Sequence, residues 1–155
     1  TKLAVGSGIW CRACGAGAAA RVAWRHVGYT TIYGGRGYVD FVLTAPELDR
    51  PVWVEAMRQR TRGSMDERLP YLLLNAAIAF PDARVVLVLE GTGWRSGARA
   101  WARARAKAIG SKPVTVMSLP LFRDWLRRRL KGGGRLGSPR LSAPGSGYIA
   151  DTVRE

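Results

Sequence analysis

Acidic residues are scarce in this chain, and the scarcity is uneven. Eleven Asp and Glu stand against 25 Lys and Arg, a formal net charge of +14 at pH 7 over 155 residues. No acid precedes Asp40, and none lies between Glu90 and Asp124. A field of one sign speaks about partners rather than fold, and here it points to a polyanion. Long hydrophobic runs are also missing. The longest nearly uncharged one, Leu69 to Phe80, contains Pro70 and Asn75 and is too short to span a bilayer. A membrane partner is therefore not expected. No basic segment leads into an apolar stretch as a secretory signal would. Histidine is confined to His26, and cysteine to Cys11 and Cys14. One Cys-x-x-Cys and one His fall short of the four ligands of a structural zinc site, unless a dimer mate supplies a second pair. With no strand apparent upstream, a thioredoxin-like redox site does not fit either. The two thiols read as packing residues in an intracellular, cytoplasmic protein.

What is present fits one globular domain, with 47% hydrophobic and 23% charged residues. The Ala-rich stretch Gly15 to Val27 predicts a helix stopped by Gly28. Tyr29 to Tyr33, Tyr38 to Leu43 and Pro51 to Gln59 are β-branched or aromatic and predict three strands, with a turn over Gly34 to Gly37. Ser64 offers an N-cap with Glu67 at the capping-box spacing. The helix that follows, Met65 to about Phe80, presents Leu69, Leu72, Leu73, Ala76 and Phe80 on one face, with Pro70 late enough to offset its first turn. The continuous apolar run Arg84 to Glu90 predicts a strand covered on both faces. A helix over Trp94 to Ile109, a short strand over Val114 to Met117 and a helix over Leu119 to Leu130 complete the domain. In the last helix Leu121, Phe122, Trp125, Leu126 and Leu130 are read as inward. The order α-β-β-β-α-β-α-β-α predicts an α/β fold, a mixed central sheet flanked by helices. Residues 1–130 are read as the domain. Residues 131–155, rich in Gly, Ser and Pro, are read as a flexible basic tail.

Two acids interrupt the predicted strands, Asp40 within Val39-Asp40-Phe41-Val42-Leu43 and Glu55 within Val52-Trp53-Val54-Glu55-Ala56-Met57. A charge inside a buried strand is costly unless something pairs with it, and two acids on neighbouring strands suit a shared divalent cation. Strand alternation puts Trp53, Glu55, Met57 and Gln59 on one face, with successive members roughly 7 Å apart. The bland alternatives are Asp40 paired with Arg36 and Glu55 paired with Arg58 or Arg60.

Val39 to Leu43, Val54-Glu55-Ala56-Met57-Arg58-Gln59 and Gly63-Ser64-Met65-Asp66-Glu67-Arg68-Leu69-Pro70-Tyr71 together resemble the PD-(D/E)XK nuclease superfamily, in particular its restriction-endonuclease-like members. The resemblance covers roughly residues 15 to 90. It implies an α-β-β-β-α-β core and a Mg²⁺-dependent (or Mn²⁺-dependent) DNA endonuclease. It also implies metal ligation by Asp40, Glu55 and the Ala56 carbonyl, with Gln59 as a supporting polar group beside the catalytic positions Asp40, Glu55 and Met57. Arg68 stands where relatives carry a lysine. Double-stranded DNA is the expected partner, and cutting both strands implies two active sites, hence a homodimer.

Three departures qualify that expectation. Met57 occupies the place of the catalytic lysine, and a thioether neither orients nor deprotonates water; the general-base and electrostatic contributions lost are each commonly worth about 10²-fold or more. Val39 replaces the proline of the pattern. Ala18, Ala19 and Ala20 fill the region where many relatives carry a first-helix Glu. Met57 is open to three accounts: another basic group such as Arg58 or Arg60 substitutes, a lysine was exchanged to inactivate the enzyme, or the protein is a natural non-cutting relative. The non-catalytic nucleic-acid-binding module is thus the alternative function, and a basic structural protein assembling with RNA or another partner is a third class.

The basic residues divide into three groups. Arg36, Arg58, Arg60, Arg62 and Arg68 flank the acids in sequence. Arg95, Arg99, Arg103 and Lys107 recur every four residues opposite Trp94, Ala98 and Trp101, and Arg127 to Lys131 extend the field. These, Arg95 and Arg99 included, are candidate phosphate contacts. The six Trp read as packing, His26 as a satisfied structural histidine, and Asp66 and Glu67 as first-turn acids favoured by the helix dipole.

Overall fold

A computed structural model describes residues 4–6 and 21–131. Cys11, Cys14, Trp10, the alanines at 18–20 and the expected tail lie outside the described residues. The rest forms a six-stranded mixed sheet in sequence order, β1 (Ala4–Gly6), β2 (Val22–Thr30), β3 (Arg36–Thr44), β4 (Val52–Arg58), β5 (Arg84–Glu90) and β6 (Val114–Met117). β2, β3 and β4 are an antiparallel meander; β1 joins β2, and β5 and β6 follow β4, all in parallel. The β4–β5 step is bridged by α1 (Leu69–Leu74) and the β5–β6 step by α2 (Ala98–Ala108). After β6 comes α3 (Leu119–Lys131).

Two apolar layers hold the sheet. On one face Val27, Val39, Trp53, Met57 and Leu87 join Leu69, Leu72, Leu73 and Ala76 from the α1 region and Ala102 and Ala106 from α2. On the other, Leu43, Val52, Val54, Val86 and Val88 are covered by Phe122, Trp125 and Leu126 of α3. The continuous run of β5 is buried on both faces, as its composition predicts.

Several expected elements differ. Val22 to Val27 is strand, not helix, and Gly28 lies within β2 rather than ending a helix. Alanine-rich sequence favours helix only weakly, and pairing with β3 from Val22 to Thr30 overrides it. Gly37 is likewise in β3, and the turn begins at Thr31, whose amide donates to the Gly35 carbonyl at 2.8 Å. Gly28 faces Tyr38 and Gly37 faces Tyr29 across the ribbon. A Cβ on Gly37 would fall 2.6 Å from Thr31 Cγ2 and 2.8 Å from the Tyr29 ring, so only glycine fits beneath that ring.

The segment after β4 is a 3₁₀ turn (Ser64–Arg68), then α1, then a π turn (Asn75–Ala79). Pro70 sits in the first turn of α1, where its missing N–H costs nothing. Gly63 holds the N-cap position with no side-chain cap, so the expected Ser64–Glu67 capping box does not form. Asn75, apolar in no sense, is fully buried: its amide donates to the Tyr71 carbonyl and accepts from the Ile32 N–H, pinning the β2–β3 turn to the helix. α2 starts at Ala98, not Trp94, leaving Arg95 in the preceding loop; Trp101 is 41% exposed and the buried line is Ala102 and Ala106. Leu121 of α3 is exposed rather than inward.

Candidate active site

β3 and β4 are paired over only three positions, Leu43 with Val52, Val42 with Trp53 and Phe41 with Val54. The next pair in that register would be Asp40 with Glu55, and there the strands part. From Asp40 outward β3 stays with β2, while from Glu55 outward β4 stays with β5. The acids sit at the apex of this fork. Alternation slips at the same place: Val39 and Val42, three apart, share one core layer, as do Trp24 and Val27 on β2. His26, opposite Asp40 by count, takes a left-handed φ of 52° and drops out of the ladder. This local defect is what frees a charged side chain from an otherwise buried strand.

Each acid accepts a backbone N–H from the opposite strand. Asp40 Oδ2 accepts the Ala56 N–H at 2.8 Å, and Glu55 Oε2 lies 3.4 Å from the Asp40 amide nitrogen that donates to it. Glu55 is half-buried; burial first and the Asp40 charge second push its carboxyl up to about 7, opposed by the hydrogen bond from the Asp40 N–H and then by the charge of Arg68. Tyr29, packed edge-on against Trp53 and Phe80, is pushed up to about 12 by burial, then by the nearby Tyr71 and Glu55.

The other acids of the described residues are accounted for. Glu47 pairs with Arg21; Asp49 with Arg50, Arg84 and Arg129; Asp66 and Glu67 with Arg95; Asp82 with Arg50; Asp124 with Arg127. Glu90 accepts the Leu119 N–H at the start of α3. Asp40 and Glu55 have no ion pair with Lys or Arg among the described residues, although Arg36, Arg58, Arg60, Arg62 and Arg68 are all exposed nearby in sequence. The bland pairings with Arg36, Arg58 or Arg60 do not form, and Arg36 lies instead over the Tyr38 ring. No cluster of three or more His, Cys, Asp or Glu that could hold a metal occurs among the described residues.

A model of the PD-(D/E)XK nuclease superfamily domain matches residues 15–130. The chain belongs to the PD-(D/E)XK nuclease superfamily. Comparison with curated proteins and with solved structures gave no match. As a superfamily member the chain carries a nuclease-type domain, of the class that hydrolyses phosphodiesters in nucleic acids, and its mixed sheet flanked by helices accords with the restriction-endonuclease-like fold. No helix among the described residues is long and apolar enough to cross a membrane.

Of the remaining expected PD-(D/E)XK site residues, Met57 lies on the Glu55 side of β4 but is only 5% exposed, within the same apolar layer as Trp53 and Leu69. Gln59 is buried: its amide donates to the Gly93 carbonyl at 2.8 Å and reaches that of Gly63 at 3.5 Å. It joins the end of β4 to the loops on either side. Arg95 is committed to Asp66 and Glu67, and Arg99 donates to the Gly91 carbonyl. Asp66 and Glu67 lie in a 3₁₀ turn and both pair with Arg95. A groove of about 380 Å³ between α1 and α2, lined by Leu73, Leu74, Ala77, Trp101 and Ile109, is apolar and does not include either acid. His26, read as a satisfied histidine ending a helix, is exposed on a strand and stacked on Tyr38.

Proposed function

We propose that this chain is a divalent-cation-dependent endonuclease acting on double-stranded DNA, with Asp40 and Glu55 as ligands of Mg²⁺ or Mn²⁺. The carrying observation is the acid pair at the fork: two carboxylates held against each other without an arginine, in a chain of 25 cations. Like charges so placed need a cation to stay ionised together at neutral pH, and carboxylate oxygens suit a hard divalent ion. Ala56 contributes its N–H to orient Asp40, and its carbonyl is the third donor the superfamily resemblance supplies. The cation when bound supplies charge stabilisation at the scissile phosphate and eases ionisation of the attacking water. Arg68, close enough to act on Glu55, is the cation placed to meet a phosphate oxygen. Arg36, Arg58, Arg60 and Arg62 are exposed and serve the flanking backbone, with Arg95 and Arg99 at a distance behind their structural contacts. Cutting both strands calls for two copies of the site, hence a homodimer.

Supercoiled plasmid incubated with Mg²⁺ or Mn²⁺ tests this reading, using this chain and Met57→Lys, with calorimetry of Mn²⁺ binding alongside. Nicking that Asp40→Ala lowers by about 10²-fold or more, and a binding heat that Asp40→Ala removes, are expected. No cleavage by either protein together with no Asp40-dependent heat would overturn it.

The burial of Met57 in an apolar layer favours a second reading, a nucleic-acid-binding module that has lost the chemistry. DNA binding indifferent to Mg²⁺ and to Asp40→Ala, with a steep salt slope, is its signature.

A further inference from the structure

Beyond the fork, β2 and β3 continue as a two-stranded ribbon whose outer surface the acid pair does not use. His26 is exposed, and its left-handed φ of 52° is uncommon for a residue with a side chain and tends to collect at functional sites. Its imidazole stacks on Tyr38 with ring centroids 4.1 Å apart and planes 8° from parallel. The Arg36 guanidinium carbon stands 5.3 Å from the centroid of the same ring. Tyr38 still keeps 41% of its surface in solvent. Gly28 lies opposite Tyr38 across the ribbon. At the tip of the ribbon Tyr33, 81% exposed, stacks on Tyr71 at 5.5 Å.

Charge narrows what this surface fits. No acid occurs from Arg21 to Val39, and Arg25 and Arg36 are exposed with no ion pair among the described residues. Flat π faces beside guanidinium groups in a field of one sign are the elements with which proteins hold single-stranded nucleic acid. A paired base keeps its faces inside the duplex stack and cannot offer them to Tyr38, whereas an unpaired base can. Asp40 stands at the inner end of the same ribbon, two residues along β3 from Tyr38.

We propose that the His26–Tyr38–Arg36 stack binds an unpaired nucleotide on the β2–β3 ribbon that runs into the Asp40–Glu55 fork, so that the preferred substrate is duplex DNA carrying a single-stranded segment. The functional meaning of that contact rests on the nuclease reading; the contact itself does not.

Fluorescence anisotropy of the full chain in EDTA, where no cleavage occurs, tests it with three labelled probes. These are a blunt duplex, the same duplex with a short single-stranded overhang, and that overhang built from abasic units with identical phosphates. The base-bearing overhang should bind about 5- to 150-fold tighter than its abasic counterpart, the value of one stacked base. Tyr38→Leu should remove that difference and leave blunt-duplex affinity unchanged, while Tyr38→Phe should keep it. Equal affinity for base-bearing and abasic overhangs, or an equal loss on all three probes in Tyr38→Leu, would overturn the proposal. Should Tyr38→Leu lose its circular-dichroism signature, the abasic comparison on the unaltered chain decides alone. Calorimetry of Mn²⁺ without DNA reads the acid pair separately, so its failure and that of the stacking surface are distinguishable.

Discussion

Glu55 is where the chemistry of single residues can be measured most directly. Its carboxyl is raised from 4.5 to about 7 in the folded chain. Between those values the folded state holds a proton that the unfolded chain has released. The stability this neutral form contributes is therefore complete below about pH 4.5 and declines as pH rises toward 7, by at most about 3 kcal/mol. Thermal melts of the metal-free chain should show that decline, and Mn²⁺ at pH 8 should reverse it. Glu55→Gln should flatten the profile, raise the melting temperature at pH 8 without metal, and abolish the Mn²⁺ response. Met57→Lys sits in a different environment. A lysine reaching from a 5% exposed position must desolvate its ammonium or meet the Glu55 carboxylate, so it should lower the melting temperature in EDTA and recover part of the loss when Glu55 is ionised. The acids themselves were legible in the sequence, because a carboxylate in an apolar strand has few explanations. The roles of Gln59 and His26 were not. A buried glutamine and a supporting one have the same letter, and the left-handed backbone at His26 comes from a strand defect that no residue near it announces.

At the scale of elements, the loop after β5 packs against the chain leaving β4 so closely that side chains are excluded. A Cβ on Gly91 would come 2.1 Å from the Gln59 carbonyl oxygen, and one on Gly93 2.2 Å from that of Thr61. Gly91 also has a φ of 92°. Gly93→Ala should unfold the loop or the domain, and Gln59→Leu should cost about 1–3 kcal/mol by orphaning the Gly93 carbonyl. Urea melts compare the two, and a Gly93→Ala protein as stable as the parent would refute the close packing. Strands β3, β4, β5 and β6 and the apolar face Leu69–Leu72–Leu73–Ala76–Phe80 follow from hydrophobic pattern alone, because burial enforces period on both kinds of element. The error at Val22 to Val27 has the opposite origin: alanine propensity is local and weak, whereas the pairing that decides the segment comes from residues 39 to 44. The change from 3₁₀ to α to π between Ser64 and Ala79 has no counterpart in the apolar pattern, and Asn75, at the α-to-π change, accepts the Ile32 N–H from the β2–β3 turn.

For the whole molecule the dominant quantity is charge. With +14 formal charges and most described acids already committed to arginines, the free cations determine encounter with a polyanion. Affinity for any DNA should fall steeply and linearly on a logarithmic salt scale, and replacing Arg60 and Arg62 with Ala should reduce that slope by about one for each phosphate left without its cation. A flat salt response would refute a phosphate-binding surface. The fork has a consequence of another kind. The acids are exposed to each other because β3 and β4 stop pairing one step too soon. Any substitution that lets the two strands zip a single rung further makes a better sheet and a worse site. Variants selected for heat resistance alone should therefore drift toward closing it, and their gain in melting temperature should be matched by a loss of Mn²⁺ affinity.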